Sequence, residues 1–397
     1  MNSGDTAWVL AASALVLLMT PGVAFFYGGL VRKKNIVSTL MYSFMCMGLV
    51  GIVWVLWGYS LAFGPDIGGL VGNLEFFGLN GVSADSDAGG GQAFMIFQCM
   101  FAIITPALVT GAFAERMKFG ALCLFIVLWV TIVYAPLAHW VWHENGWLME
   151  FGALDFAGGT VVHMSAGFGA LAAALVVGRR IGFSEQSMGP ANVPMVMLGA
   201  GLLWFGWFGF NAGSALAANG QAVNAFVVTN TAAATSMVTW LMMSWVVDKK
   251  PSAVGAATGA IAGLVAITPA SGYVGAMPAI IIGLGAGVFC FVAVKLVQRI
   301  KVDDALAVFG VHGIGGLWGA LATGLFVGIG YYSLEIGRGE QIVNQLVGMG
   351  AAGAWAFIVT GLIMLALKYV FPGGIKADAD EESVGLDESE HGEAAFE

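Results

Sequence analysis

The sequence predicts an all-α polytopic membrane protein with eleven transmembrane helices. Of its 397 residues, 59% are hydrophobic and only 10% are charged, and the mean hydropathy is +0.86. Soluble domains average about 25% charged residues, so a soluble enzyme, a nucleic-acid-binding protein and a disordered chain are all disfavoured. Glycine is abundant, with 59 residues, which indicates helices whose backbones pack closely within lipid.

Each predicted span follows from the length of an apolar stretch. A bilayer core takes about 20 apolar residues per helix, and polar breaks divide the chain into eleven such stretches. We predict spans at 7–30, 38–63, 93–113, 120–141, 156–178, 193–216, 224–247, 254–270, 274–297, 305–330 and 343–370. The first stretch has neither a basic leader segment nor a small-residue cleavage site, so we expect it to be retained as a span.

The distribution of basic residues supports this count and predicts an orientation. Of the 15 Lys and Arg residues, 14 fall on one side of the predicted bundle and only Arg338 falls on the other. The positive-inside rule makes the basic side cytoplasmic. We therefore expect a multi-pass protein of the cell membrane, with an extracellular N-terminus and a cytoplasmic C-terminus.

Two acidic regions lie outside the predicted spans. The loop Gly64–Gly91 carries Asp66, Glu75, Asp85 and Asp87 with no basic residue, and we expect it to form an outer vestibule. We expect residues 1–371 to form the membrane domain and residues 372–397 to form a cytoplasmic acidic tail. Such a charge run is either a solvated segment or a regulatory one.

A short motif occurs twice. His163 in predicted span 5 and His312 in predicted span 10 each follow a valine and precede a glycine by four residues, at Gly167 and Gly316. Spans five apart in the chain cross the membrane in opposite directions. The pattern therefore predicts an inverted five-plus-five repeat with an added eleventh helix, and a functional site near the midplane where the repeats meet.

Ionisable residues within the spans are few, namely Asp155, His163, His312 and His139. Such residues are costly in lipid and are functional candidates. We predict that the two imidazoles of the repeated motif reach similar depths and share a proton. Asp155, eight residues before His163, caps the start of span 5, supports a cation at the outer mouth, or does both.

Aromatic residues form a second candidate layer. Phe101 follows Gln98 in span 3, while Trp207 and Phe210 precede Ser214 at the end of span 6. A cation can lie over an aromatic face and donate to a nearby hydroxyl, although most aromatic residues in spans serve packing or the interfacial belt.

Five motifs in order resemble the ammonium transporter (Amt/Mep/Rh) family, and the third resembles its Amt branch. They are residues Tyr27–Asn35, Asp155–His163, Trp207–Ser214, Ile267–Ala270 and Val308–Gly313. The resemblance implies a homotrimer with a separate narrow pore through each subunit. The C-terminal tail is also similar to the regulatory segment of the family, which implies a possible partner of the PII signalling type at the cytoplasmic face.

The resemblance also implies roles for individual residues. Phe101, Trp142 and Ser214 would form an outer ammonium site, with Trp147 as the alternative to Trp142. Asp155 and Trp207 would support that site. The remaining implied residues are a stacked gate of Phe101 and Phe210, a proton relay of His163 and His312, and the supporting residues Gln98, Thr268 and Tyr27.

Elementary energetics favour transport of a neutral molecule. A bare cation in a low-dielectric pore meets a penalty of about 20 kcal/mol in the idealised Born limit. Deprotonating an amine-like cation of pKa about 10.4 at pH 7 costs only about 4.6 kcal/mol. We therefore expect recruitment of NH4+ (or methylammonium as an analogue), passage of NH3, and separate proton transfer through the histidines.

Two other classes remain open from the residues alone. A channel for a neutral gas or small solute needs no cation site, and an ammonium-sensing receptor would bind without flux. We expect no enzyme activity, no cofactor and no metal, because the sequence has no HExxH motif and two histidines without a third ligand make a poor zinc site.

Overall fold

The computed structural model describes residues 2–84, 91–186 and 188–396, and their regular secondary structure is helical apart from one pair of two-residue strands. Eleven helical spans occupy the predicted positions, ten of them long enough to cross a membrane within the described ranges and the eighth shorter, at 15 residues. Spans 1 to 11 are Ser3–Leu30, Lys33–Phe63, Gly91–Thr110, Phe119–Glu150, Gly159–Val177, Val193–Gly213, Gly220–Asp248, Ala253–Ile267, Ala276–Arg299, Phe309–Phe326 and Arg338–Val370. The predicted loop residues Asp85 and Asp87 lie outside the described residues.

Local signals at the helix ends explain where the spans differ from the predicted bounds. Span 5 starts at Gly159 rather than at 156, because Gly158 has φ +114° and the preceding turn is held by the Asp155 carboxylate. Span 10 starts at Phe309 rather than at 305, because Asp304 accepts from the Phe309 N–H at 2.8 Å. Span 8 stops at Ile267 as Pro269 follows, a residue that has no N–H to donate.

Span 1 packs along span 6, its counterpart in the inverted repeat. Glycines make the close approach possible on the span 6 side. A Cβ atom at Gly199 would lie 2.3 Å from the Phe26 backbone nitrogen, and one at Gly206 would lie 2.3 Å from the Met19 side chain. Small residues of this kind let helix backbones approach within lipid, where no hydrophobic effect drives helices together.

Spans 5 and 10 cross at the glycines of the repeated motif. A Cβ atom at Gly167 would lie 2.2 Å from the Gly313 backbone nitrogen, and one at Gly316 would lie 3.0 Å from the Gly159 carbonyl oxygen. Both spans open with a π-helical turn that contains the histidine, at Gly159–Met164 and Phe309–Gly313. The backbones therefore approach closely at the level where the two imidazoles face each other.

Substituting Gly167 with valine is expected to separate spans 5 and 10 and to reduce folding yield and transport together. The added side chain meets backbone atoms of span 10, which cannot move aside as a flexible side chain could. Gly48→Val in span 2 is the control, since a Cβ atom there has no neighbour within 4 Å. Monodisperse yield in detergent and methylammonium uptake are the measurements, and equal behaviour of the two variants would contradict the close crossing.

The face of the bundle that carries Asp66 and Glu75, the vestibule face, is closed by a small folded loop. Strands β1 (Asp66–Ile67) and β2 (Val71–Gly72) pair antiparallel. Asp66 binds His139 Nε2 at 2.8 Å, and this hydrogen bond holds the pKa of the Asp66 carboxyl below its usual range. His139 Nδ1 contacts the Ala62 carbonyl oxygen at 2.9 Å. His139 therefore secures this loop to span 4 and does not reach the histidine pair.

The opposite face, the basic face, carries the folded acidic tail. Lys34 Nζ donates to the carbonyl oxygens of Glu382 and Ser383 at 3.0 Å and 2.6 Å. The Asp387 carboxylate accepts from two backbone N–H groups at the start of span 2, those of Val37 and Ser38. The tail includes the short helix Ala379–Val384. It is thus bound to the ends of the spans and does not extend freely into solvent.

Candidate functional site

Two phenylalanines from different spans stack on each other in the interior of the bundle, below the vestibule face. Phe101 of span 3 and Phe210 of span 6 stack with ring centroids 4.2 Å apart and an interplanar angle of 29°. Both side chains are buried, at 1% and 0% exposure. The two residues predicted to form a gate therefore lie face to face, with no room for a hydrated ion between them.

The indole of Trp142 meets the same phenylalanine pair. Its ring lies edge-on to Phe101, with centroids 5.9 Å apart at 89°. Its Nε1 atom donates to the Asp155 carbonyl oxygen at 3.0 Å, which fixes the orientation of the ring. Trp147 instead packs on Trp140, with ring centroids 5.7 Å apart, at the start of the short helix that ends span 4. The structure therefore brings Trp142, and not Trp147, to the phenylalanine pair.

Polar groups flank the aromatic layer. Ser214 ends span 6 one turn after Phe210, and its hydroxyl donates to the Phe210 carbonyl oxygen at 2.8 Å, which leaves the oxygen lone pairs available to a donor. Gln98 lies one turn before Phe101, and its buried Oε1 atom accepts no hydrogen bond from any described residue. The outer layer thus combines ring faces with unused acceptors.

Asp155 organises the backbone at the start of span 5. Its carboxylate accepts from the backbone N–H groups of Gly158, Gly159, Thr160 and Val161 at 2.6–3.2 Å, and from the Thr160 hydroxyl. The side chain is buried at 7% exposure. The Asp155 side chain therefore caps the first N–H groups of span 5, which is one of the two roles expected for it, and the capped turn leads directly to His163.

The two histidines meet below the phenylalanine pair. His163 Nδ1 and His312 Nδ1 lie 3.3 Å apart, and the ring centroids are 5.4 Å apart. His163 stacks at 5.3 Å on Trp207, and its Nε2 atom lies 3.3 Å from the Thr268 hydroxyl. The predicted juxtaposition of imidazoles from the two repeats is therefore present, and residues of spans 6 and 8 hold it on one side.

A cavity of about 320 Å³ extends from the histidine pair toward the basic face. Its wall near the imidazoles is apolar, with side chains such as Val23, Ile104, Leu108 and Leu203. Tyr27 also lines it, and the Tyr27 hydroxyl donates to the Leu108 carbonyl oxygen at 3.0 Å. A small neutral molecule suits this wall, whereas an ion would lose its hydration without replacement.

Asp304 is a residue that our sequence analysis missed. It lies eight residues before His312, as Asp155 lies eight before His163, and it caps span 10 through the N–H groups of Val308 and Phe309 at 3.0 Å and 2.8 Å. Burial raises the pKa of Asp304 to about 6, against the opposing influence of these N–H groups and of Arg116. The equal spacing was the signal that could have found it.

A buried ionic network connects the loops on the basic face. The Glu115 carboxylate accepts from Arg32 Nε at 3.0 Å and from Arg180 Nη1 at 2.6 Å. Arg180 also binds Asp303 at 2.7 Å. Burial raises the pKa of Glu115, but the two guanidinium groups lower it by more, so it stays below its usual range. Sequence spacing gave no signal for this network, because its members lie in loops far apart in the chain.

Comparisons with known proteins agree with this geometry. A family model described as Ammonium Transporter Family matches residues 7–396. The chain is similar to the ammonium transporter Amt1 of Archaeoglobus fulgidus, with 47% identity over 399 residues that cover 100% of both chains. It is also similar to the ammonium transporter of Bacillus subtilis, with 48% identity over 406 residues, covering 100% of this chain and 99% of the relative.

Solved structures of related proteins share the fold. Mep2 of Saccharomyces cerevisiae superposes with a TM-score of 0.89 at 37% identity, covering 96% of this chain and 89% of that one. A protein described as a Sensor Amt Protein superposes with a TM-score of 0.92 at 33% identity, covering 98% of both chains. The resemblance that the five motifs carried is confirmed over nearly the whole length. The chain belongs to the ammonium transporter family.

Proposed function

We propose that the protein transports ammonium by recruiting NH4+ at the aromatic layer and conducting NH3 through the cavity. Phe101, Trp142 and Ser214 bind the cation, with the ring faces and the hydroxyl replacing part of its hydration shell. The observation that carries the proposal is the order of the layers: a cation-compatible site, then closed rings, then an imidazole pair in an apolar cavity. Gln98 supports the cation site, whereas Trp207 packs on Phe210 and His163, between the rings and the imidazole pair.

The closed rings make deprotonation the lower-energy route. Passing Phe101 and Phe210 requires the rings to move apart and the solute to lose water, which costs far more for a cation than for ammonia. The Asp155 carboxylate lies behind the site and lowers the energy of a waiting cation. Beyond the rings, His163 and His312 carry the proton separately from ammonia. Because the proton moves as a charge, net transport of ammonia together with its proton is electrogenic.

Trp142→Leu is expected to raise the KM for methylammonium about tenfold, because a cation–π contact contributes about 0.5–1 kcal/mol at an exposed site and about 2 kcal/mol when desolvated, and this site lies between the two. Trp147→Leu is the matched control, since that indole packs on Trp140 and not on Phe101. Concentration-dependent methylammonium uptake in vesicles measures both variants. A larger increase in KM for Trp147→Leu than for Trp142→Leu would contradict this assignment and place the cation site at Trp147.

Topology and assembly form part of the same proposal. The concentration of basic residues on one face supports a cytoplasmic position for that face and for the tail, with the N-terminus outside the cell membrane. Membership in the family supports a homotrimer in which each subunit has its own pore. No covalent conversion of the substrate is required at any step, so we propose a transporter and not an enzyme.

We further propose that the acidic tail regulates transport and that a PII-type protein docks beside it. The support is its attachment to the starts of spans 2 and 4, through Asp387 at the backbone N–H groups of Val37 and Ser38 and through Glu390 at that of Phe119. Deleting residues 376–397 is expected to change the uptake rate by severalfold without loss of folding. Uptake in vesicles and the detergent elution profile test this. Unchanged activity together with an unchanged nitrogen response in cells would contradict regulation.

A sensing role without flux and a channel for neutral solutes are the competing functions. The relatives at 47% and 48% identity are named transporters, whereas the Sensor Amt Protein is 33% identical. A neutral-solute channel would have no use for the aromatic and hydroxyl layer, so substituting Trp142 or Ser214 would leave its transport unaltered. Both observations favour transport.

A further inference from the structure

The hydroxyl of Thr268 contacts three polar groups next to the histidine pair. It lies 2.9 Å from Trp207 Nε1, 2.7 Å from the Leu264 carbonyl oxygen and 3.3 Å from His163 Nε2. The residue is fully buried, at 0% exposure. Because a hydroxyl has one proton and two lone pairs, the directions of these three bonds can be assigned.

Two of the three partners have fixed roles. The indole N–H of Trp207 can only donate, and the Leu264 carbonyl oxygen can only accept. At 2.7 Å, the contact with Leu264 needs a hydrogen between the two oxygen atoms, so the single hydroxyl proton lies there. The remaining lone pair of Thr268 faces His163. His163 must therefore donate, and its Nε2 atom carries a proton.

This assignment extends to the second ring. A neutral His163 that is protonated on Nε2 has its lone pair on Nδ1, which lies 3.3 Å from His312 Nδ1. His312 Nδ1 must then hold the shared proton and donate it. The lone pair on His312 Nε2 is then the only one of the two rings that no hydrogen bond among the described residues uses, and His312 lines the cavity.

We propose that Thr268 fixes the tautomer of the histidine pair, so that His312 Nε2 is the single atom of the pair that can accept a hydrogen bond from conducted ammonia or take up the separately transferred proton. The proposal deepens the transport mechanism proposed above. Thr268 acts as a positioning residue, through His163, and does not touch the substrate. The proton that ammonium releases at the outer site is taken up here: an N–H bond of ammonium breaks, a bond from the proton to His312 Nε2 forms, and the products are neutral ammonia and a singly charged histidine pair.

Nitrogen-15 NMR of histidine-labelled protein in bilayers tests the tautomer directly. Difference spectra against His163→Gln and His312→Gln identify the two rings. We expect His163 to be protonated on Nε2 and bare on Nδ1, and His312 to show the reverse. A wild-type spectrum in which His163 Nε2 is bare would overturn the proposal, whether or not the protein transports ammonium.

Variants of Thr268 test whether this residue sets the tautomer. Thr268→Val is expected to give mixed tautomers. Methylammonium uptake should be about tenfold slower, because a tenfold change corresponds to the free energy of about one hydrogen bond. Thr268→Ser restores both readouts. Thr323→Val, which removes a comparable buried hydroxyl bonded to Gly319, leaves the histidine spectrum unchanged. An unaltered spectrum in Thr268→Val would overturn the role of Thr268, and the wild-type spectrum decides the tautomer if that variant does not fold.

Discussion

Asp155→Ala is expected to abolish uptake and to destabilise the protein by about 4 kcal/mol, because several buried donors lose their acceptor at once. The carboxylate accepts from four backbone N–H groups and from the Thr160 hydroxyl, all at the turn that leads into span 5. Loss of this turn also frees the Trp142 indole, which donates to the Asp155 carbonyl oxygen. Thermal unfolding in detergent and methylammonium uptake in vesicles measure the two effects.

Asp155→Asn separates the structural effect from the electrostatic one. Its carboxamide oxygen can still accept from Gly158 and Gly159, so we expect part of the stability to return. The negative charge behind the cation site does not return, and uptake should therefore stay low. Asp5→Ala is the control, because the Asp5 carboxylate accepts an exposed hydrogen bond from a single backbone N–H group, that of Ala218. Full uptake by Asp155→Asn would show that the carboxylate serves only as a cap.

His163→Ala and His312→Ala are each expected to lower methylammonium uptake about 100-fold or more, the lower range for the loss of a positioned proton-transfer group. Each substitution also removes the partner of the remaining imidazole, since the two Nδ1 atoms lie 3.3 Å apart. Uptake of labelled methylammonium in proteoliposomes of matched protein content is the measurement.

Two further variants make this prediction specific. His312→Gln keeps a polar side chain of similar reach but cannot take up a proton at neutral pH, so we expect it to remain inactive. His143→Gln alters an imidazole that stacks on His139 near the vestibule face, 4.3 Å from it, and should leave uptake within about twofold of the wild type. Wild-type uptake by either alanine variant would refute a role for the pair in conduction.

Periodicity and repetition in the sequence predicted most of the architecture. Apolar stretches gave the eleven spans, because a bilayer requires their length regardless of the tertiary contacts. The matched histidines and glycines predicted that spans 5 and 10 meet, and Gly167 and Gly316 lie at their crossing. The first residues of spans 5 and 10 were predicted less well. Span 10, for example, begins four residues later than predicted, because the Asp304 side chain caps its first turn.

Details of the site depended on contacts between distant segments. The choice between Trp142 and Trp147 could not be made from the sequence, because both lie near the end of span 4 and only the packing on Phe101 distinguishes them. The family resemblance implied a supporting role for Thr268 but no contact, and its hydroxyl connects Trp207 of span 6 to His163 of span 5. Thr268 lies 61 positions from Trp207 and 105 positions from His163 in the chain, so no local sequence pattern predicts these two hydrogen bonds.

The central claim is that ammonia and its proton pass separately, the proton by way of the two imidazoles. Current and labelled uptake, recorded on the same proteoliposomes after an ammonium pulse, test it most directly. The wild type should show a current that scales with uptake, and His163→Ala and His312→Ala should lose that current. Uptake without any current in the wild type, or a full ammonium current through both alanine variants, would contradict it.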